Sequence, residues 1–478
     1  MKNLNFSHKT KPFQHQVEGT NYIEKNNAVA LFDEQGLGKS KMVIDALVNN
    51  IRDKKIDGAV IICKKTLLEN WKDEIEIHSF LKPVVIDGGL NEKYRQFLNR
   101  SDFYIVCYES VGSVMELLQM LFETYDLAIV LDESQKIKNP DAKVTKNILG
   151  IAPISKKRII ITGTPIANSP EDLWSQYYFL DQGVLLGSDY EFFCSKYGIK
   201  YRSTSGVECE IQLESLKKII FSNSLRRTKD VLSLPDKDYH EIKIEMIGKQ
   251  KEMYEAVRKQ ILEELMLVID NDDNVASLST IDNQLVKLLR LIQISSNPKL
   301  IDSNFSEKNG KFEILDKLLT EITDKGEKCI IWSSFVSNVE ELKHRYSHYN
   351  PVVVHGGLNI DLRNRNISKF KKDQSVKLMI ANPAAAKEGL TLVAANNAIY
   401  LDRSFKMDDY LQSQDRIHRI GQDKSCHIIK LVCEDSIDEY IDEILRKKEK
   451  VLRYVVGDTD SIELGEELSL EYLIKILG

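Results

Sequence analysis

Between residues 28 and 162, six short runs rich in β-branched and apolar residues alternate with longer amphipathic stretches. The runs are Ala28 to Phe32, Gly58 to Cys63, Lys82 to Ile86, Phe103 to Cys107, Leu127 to Leu131 and Arg158 to Ile161. A strand that is apolar on both faces must be covered on both faces, and helices between such strands make the sheet parallel. From about Gln182 to Phe305 helical periodicity takes over, as in Lys249 to Ile269 and Ile281 to Ile294, and strand candidates are few. They return at Lys328 to Ser333, Pro351 to Val354, Lys377 to Ile380, Ala398 to Leu401 and His427 to Val432. The expected fold class is therefore α/β, with two parallel-sheet lobes, a helical insertion between them and a ligand in the cleft. The expected boundaries are 1–182 for lobe one, 183–305 for the helical insertion, 306–456 for lobe two and 457–478 for an acidic tail.

A length of 478 residues gives a prior of about three domains and excludes a single small one. No run of 18 apolar residues occurs, and Met1 to Lys11 is polar and basic, so neither a membrane span nor a secretory leader is expected. The seven cysteines form no C-x-x-C pair and several sit in apolar runs, which points to buried thiols in a reducing cytosol. The net charge is -6, but residues 457–478 carry six acids and one lysine, leaving the body nearly neutral. A local basic groove is compatible with that distribution, and the whole-protein field gives no sign of one.

Asp33-Glu34-Gln35-Gly36-Leu37-Gly38-Lys39-Ser40 follows the first strand and opens a helix. In such a loop glycines let backbone N–H groups curl around phosphates, lysine reaches the terminal phosphates and the hydroxyl ligates magnesium. The helix N-terminus adds the positive end of its dipole. An isolated Gly-Lys-Ser also fits an ordinary tight turn, and Asp33 stands where the general pattern has its first glycine. The fifth run bears on the choice, because it ends in Asp132-Glu133. A nucleotide motor uses such a pair to hold magnesium and to orient the attacking water. Thr162-Gly163-Thr164-Pro165 closes the next strand, and Gln414 to Gln422 contains Arg416 and Arg419, read as sharing one helical face. Guanidinium groups opposite a phosphate loop are candidate arginine fingers.

Together these segments resemble the SWI/SNF-like family of helicase-related DNA-dependent ATPases, within helicase superfamily two. The loop resembles that family's DE-x-GLGK-[ST], which accounts for Asp33, and Asp132 to Gln135 resembles its DEAH or DEGH box except at Gln135. Ile161 to Asn168 is similar to its third motif, and Ile417 to Gln422 is the most specific match. Phe13 to Gly19 resembles the adenine-reading Q motif. Leu225 to Lys229 with Leu234-Pro235, Leu288 to Pro298, and Lys387 to Leu392 resemble further segments. Gln135 replaces a common histidine, which leaves the strength of coupling to the third motif open. Ala167 replaces a frequent glutamine, with little expected effect.

The resemblance implies two RecA-like lobes around ATP and Mg2+, with duplex DNA tracked along the top. Nucleotide contacts fall to Gln16, Gly36, Leu37, Gly38, Lys39, Ser40, Gly389, Arg416 and Arg419, and metal contacts to Ser40 and Asp132. The catalytic set is Lys39, Asp132, Glu133, Arg416 and Arg419, with Glu133 activating water. For the DNA track, Lys64, Lys65, Thr66, Tyr108, Ser333, Ser334, His355 and Gly356 lie at or just past strand ends. Grip on phosphates implies weak sequence preference.

The implied activity is ATP-dependent double-stranded DNA translocation that remodels DNA or protein–DNA complexes. A monomeric, cytoplasmic motor is expected, nucleoid-associated or viral, and nuclear if eukaryotic, with a DNA-bound protein as its target. A strand-separating DNA or RNA helicase shares the same core. A catalytically inactive ATP-binding scaffold has no use for all five catalytic residues.

Overall fold

A computed structural model describes residues 6–198, 206–270, 278–386 and 391–462. The described residues divide into two compact units, 6–233 with 448–462, and 234–447. The first contains β1 (Ala28–Leu31), β2 (Gly58–Cys63), β3 (Pro83–Ile86), β4 (Phe103–Cys107), β5 (Leu127–Asp132) and β6 (Arg158–Ile161). They form one parallel sheet in the order β1-β6-β5-β2-β4-β3. The six apolar runs of the sequence are these six strands. Val29, Leu31, Ala59, Ile61, Phe103, Ile105, Ala128 and Val130 pack with helix residues Met42, Val43 and Leu47 in one core cluster. The helix Lys39–Arg52 therefore buries most of its surface and fixes the loop that precedes it. The segment at Leu225 extends the sheet beyond β1, with its N–H on the Ala30 carbonyl and its carbonyl on the Phe32 N–H.

The second unit contains β7 (Lys237–Ile244), β8 (Cys329–Trp332), β9 (Val352–Val354), β10 (Leu378–Ala381), β11 (Asn397–Tyr400) and β12 (Cys426–Cys433). Its parallel sheet runs β7-β12-β11-β8-β10-β9, with a core cluster on each face. The fold class is α/β, with two six-stranded parallel sheets. One strand departs from the sequence reading: β7 lies in the stretch read as helical insertion, yet pairs with β12 along its whole length. Lys-Asp-Tyr-His-Glu-Ile-Lys-Ile has no continuous apolar run, because most of the strand is exposed or half-exposed. The helices Gly248–Asp270 and Leu278–Ser296 follow it as the periodicity suggests. No helix among the described residues is long and apolar enough to cross a membrane.

Candidate nucleotide site

The order of the first sheet places β1, β6 and β5 side by side. In a parallel sheet the loops at the carboxyl ends of neighbouring strands converge, so the glycine-rich loop, the Thr162–Pro165 turn and Asp132-Glu133 meet there. Gly36 and Gly38 take φ of +89° and +80°, a region open to glycine without a Cβ clash. At Gly38 a Cβ would also fall 2.2 Å from Gln16 Nε2. Gln16 is buried against the loop, its Oε1 accepting from the Phe13 N–H and its Nε2 donating to the Leu37 carbonyl at 3.3 Å.

Lys39 Nζ donates to the carbonyls of Asp33 and Glu34 at 2.7 and 3.0 Å. Burial pushes its pKa down to about 8, against the opposing pull of Glu133, Asp33 and Asp132. The carboxylates are held individually. Asp132 accepts from Trp71 Nε1 at 2.8 Å through Oδ2 and from the Glu133 N–H at 3.0 Å through Oδ1. Its pKa is pushed up to about 6, first by burial and then by Glu133. Glu133 accepts from Gln35 at 3.3 Å and from Gln135 at 2.7 Å. Its φ of +51° is rare for a side chain of this size, and such conformations persist only where the surroundings enforce them.

Gln135 thus turns to Glu133, and its Oε1 is buried without a partner among the described residues. The link from this box to the next runs through its neighbour. Ser134 Oγ donates to Gln176 Oε1 at 2.7 Å, and Gln176 Nε2 donates to the Pro165 carbonyl at 2.7 Å. Sequence reasoning missed Gln176, whose position in the helix Trp174–Asp181 carries no motif. The Trp71 indole is 1% exposed, and its single N–H is spent on Asp132.

Arg226 and Arg227 brace the loop from behind. Arg227 forms a two-pronged pair with Asp33 at 3.1 and 2.5 Å and also donates to the His15 carbonyl. The family-type aspartate in the loop is thereby explained as an arginine anchor. Arg226 pairs in the same manner with Asp458 at 2.9 and 2.6 Å. Asp458, the first acid of the expected acidic tail 457–478, is buried by that pair.

In the second unit, Gln414 to Gln422 is tied to the start of β7. Gln414 Oε1 accepts from the Tyr239 hydroxyl at 2.9 Å, and His418 Nε2 lies 2.9 Å from the Pro235 carbonyl. The helix Met407–Gln414 ends before Arg416. Arg416 and Arg419 therefore sit in successive turns, which corrects the expectation of one helical face. Arg416 is buried and Arg419 half-exposed. Gly389 lies outside the described residues.

The expected DNA contacts divide by exposure. Lys65, Thr66 and Gly356 are exposed, and Lys64 and Ser334 are half-exposed. Lys65 pairs with Asp87 at 3.4 Å. Tyr108, Ser333 and His355 do not present side chains to a surface. Tyr108 is buried with its hydroxyl on the Asp132 carbonyl, and Ser333 is buried with its hydroxyl on Asp402. His355 is buried with Nε2 on Glu340 and Nδ1 accepting from the Gly357 N–H. These three belong to the support of the loops rather than to their outer face.

The SNF2-related domain matches residues 15–300, and the helicase conserved C-terminal domain matches residues 310–421. The chain belongs to the SNF2-related family. This family of helicase-like ATPases includes an uncharacterized ATP-dependent helicase of Mycoplasma genitalium, 27% identical over 97% of this chain and 44% of that protein. It also includes the ISWI chromatin-remodeling complex ATPase ISW2 of Saccharomyces cerevisiae, 28% identical over 92% of this chain and 40% of that protein. The chain thus spans less than half the length of these two SNF2-related relatives. Among solved structures, the Sulfolobus solfataricus SWI2/SNF2 ATPase core in complex with dsDNA is 28% identical over 98% of this chain and 97% of that chain, with a TM-score of 0.44.

Proposed function

We propose that this SNF2-related chain hydrolyses ATP to translocate on double-stranded DNA and so remodels DNA or its complexes with proteins. The observation that carries the reading is the convergence of the glycine-rich loop with Lys39, the Thr162–Pro165 turn, and Asp132 with Glu133 on three adjacent strand ends. Family membership supports the DNA substrate, and the exposed Lys65 and Thr66 past β2 offer phosphate contacts at the same sheet edge.

Ser40 and Asp132 present only oxygen donors, the set a hard cation such as Mg2+ takes. The raised pKa of Asp132 marks a buried carboxyl whose ionisation a cation would favour. Bound there with nucleotide, Mg2+ would supply neutralisation of phosphate charge. Backbone N–H groups of residues 36–40 bind the phosphates, and Lys39 exchanges its carbonyl partners for phosphate oxygens. Glu133, oriented by Gln35 and Gln135, accepts a proton from the attacking water. Arg416 and Arg419 are assigned by their motif to stabilise charge on the transferring phosphoryl group. The motor works as a monomer.

ATP turnover measured with no nucleic acid, single-stranded DNA, duplex DNA and RNA tests the proposal. Duplex DNA is expected to give the largest stimulation, and the same preparation should displace a triplex-forming strand without unwinding plain duplex. Stimulation by RNA alone, or efficient unwinding, overturns it.

A further inference from the structure

Arg226 touches two parts of the phosphate site and one segment distant in sequence. Its guanidinium donates at 2.5 Å to the carbonyl of Phe32, just ahead of the glycine-rich loop, and at 3.1 Å to that of Gly163, inside the turn after β6. Two carbonyls hold the group in place but do not balance its charge. That charge is met by Asp458 through a bidentate pair, with both side chains 6% exposed. Glu34, at 3.6 Å, is more exposed and accepts from the Lys229 N–H.

The placement of Asp458 is itself built. Gly457 takes φ of +88°, and a Cβ there would fall 2.6 Å from the Phe221 ring. The Asp458 N–H donates to the Arg453 carbonyl at 2.7 Å. Lys217 donates to the Thr459 carbonyl at 2.5 Å while lying over the Tyr454 ring. A locked turn therefore delivers one carboxylate to one buried guanidinium.

We infer that Asp458 is a positioning residue for nucleotide binding: by holding Arg226 it fixes the Phe32 and Gly163 carbonyls and, with them, the two loops flanking the phosphates. The inference rests on the proposed ATP-binding role of that loop. Without the acid, Arg226 is left buried with Glu34 as its nearest anion, and movement toward Glu34 drags the base of the loop. Loop contacts to phosphate are made alike in ground and transition states, so the loss falls on KM rather than on kcat.

The experiment is Asp458→Asn in the full chain, read by DNA-stimulated turnover against ATP concentration and by titration with a fluorescent ADP analogue. KM and the analogue's Kd are expected to rise about tenfold with kcat within about threefold of the parent. Asp458→Glu stays within about threefold of the parental KM, as retention of the ion pair requires. In an Arg226→Gln background Asp458→Asn adds nothing further, because the acid acts through that arginine. Asp141→Asn removes the same charge from a side chain 85% exposed and leaves KM unaltered. A KM and Kd of Asp458→Asn within twofold of the parent, or an additive effect in the Arg226→Gln background, overturns the inference. A parent that binds the analogue but never hydrolyses ATP overturns the proposed function instead, and the analogue titration still decides this point. Should Asp458→Asn not fold, Arg226→Lys carries the same expectation, since a lysine cannot bridge both carbonyls and the acid. An unchanged Kd there overturns the inference as well.

Discussion

Trp71→Phe removes one hydrogen-bond donor from Asp132 and leaves most of the apolar ring in place. The bond is 2.8 Å long and comes from a side chain that water does not reach. Burial and Glu133 raise the Asp132 pKa to about 6, and the Trp71 bond is the largest influence opposing them. A hydrogen bond to a charged group contributes ~1.5–3 kcal/mol, and one pH unit corresponds to about 1.36 kcal/mol, so the loss moves this ionisation up by roughly one to two units. A protonated Asp132 cannot take a cation. The acid limb of kcat/KM against pH should therefore move from near 6 in the parent to about 7–8 in the variant. The sign for stability is opposite to that of a paired carboxylate. Because the folded-state pKa is raised, the stability contribution of Asp132 falls as pH rises from 3.8 through about 6, and the variant extends that fall to higher pH. Steady-state DNA-stimulated turnover between pH 5.5 and 9 reads the limb, as an assay window of about this width spans both values. Trp332→Phe is the control, since its buried Nε1 has no hydrogen-bond partner among the described residues. An acid limb that moves by less than about half a unit in Trp71→Phe, or by as much in Trp332→Phe, refutes the argument.

Arg419→Ala is expected to bind ATP and DNA nearly as the parent does while losing on the order of a thousandfold in turnover, whereas Lys39→Ala loses turnover and nucleotide affinity together. Fluorescence titration beside turnover separates the two. Gln135→Leu removes the 2.7 Å bond to Glu133 and should lower kcat with KM for ATP little changed, read by the same assay. In the second unit, Asp442 is packed among Arg403, Lys430 and Arg446. Burial opposes its ionisation, but Arg403 and Lys430 outweigh it and hold the carboxyl well below its usual range. Asp442→Asn should cost about 3 kcal/mol at neutral pH, and the difference from the parent in chemical denaturation should shrink as pH falls below about 4.

The strands of the first unit were legible because each is buried on both faces, so its apolar run is continuous and length separates it from helix. Strand β7 was not legible, since an exposed strand alternates lysine and glutamate with tyrosine and isoleucine much as a surface helix can. The glycine-rich loop, Asp132 and Glu133 announce themselves because their chemistry needs consecutive residues. Their supports do not. Gln176 and Asp458 reach the site from elements distant in sequence, so only the fold brings them there. The exposure of Tyr108, Ser333 and His355 was misjudged for a related reason. The end of a strand is where a loop begins, and its first residue often still points into the protein.

Strand β7 also sets a timetable. Its register partners in β12 lie about 190 positions further along the chain. At the usual ~5–20 residues per second of synthesis, β7 leaves the ribosome roughly 10–40 s before the strand it pairs with exists. During that interval its backbone N–H and C=O groups are open to any other nascent strand. Lys237, Asp238, Glu241 and Lys243 place charge along nearly its whole length. Charge on an unpaired strand deters pairing with a neighbouring chain. The same residues that hid β7 from a hydrophobicity reading thus protect it while it waits.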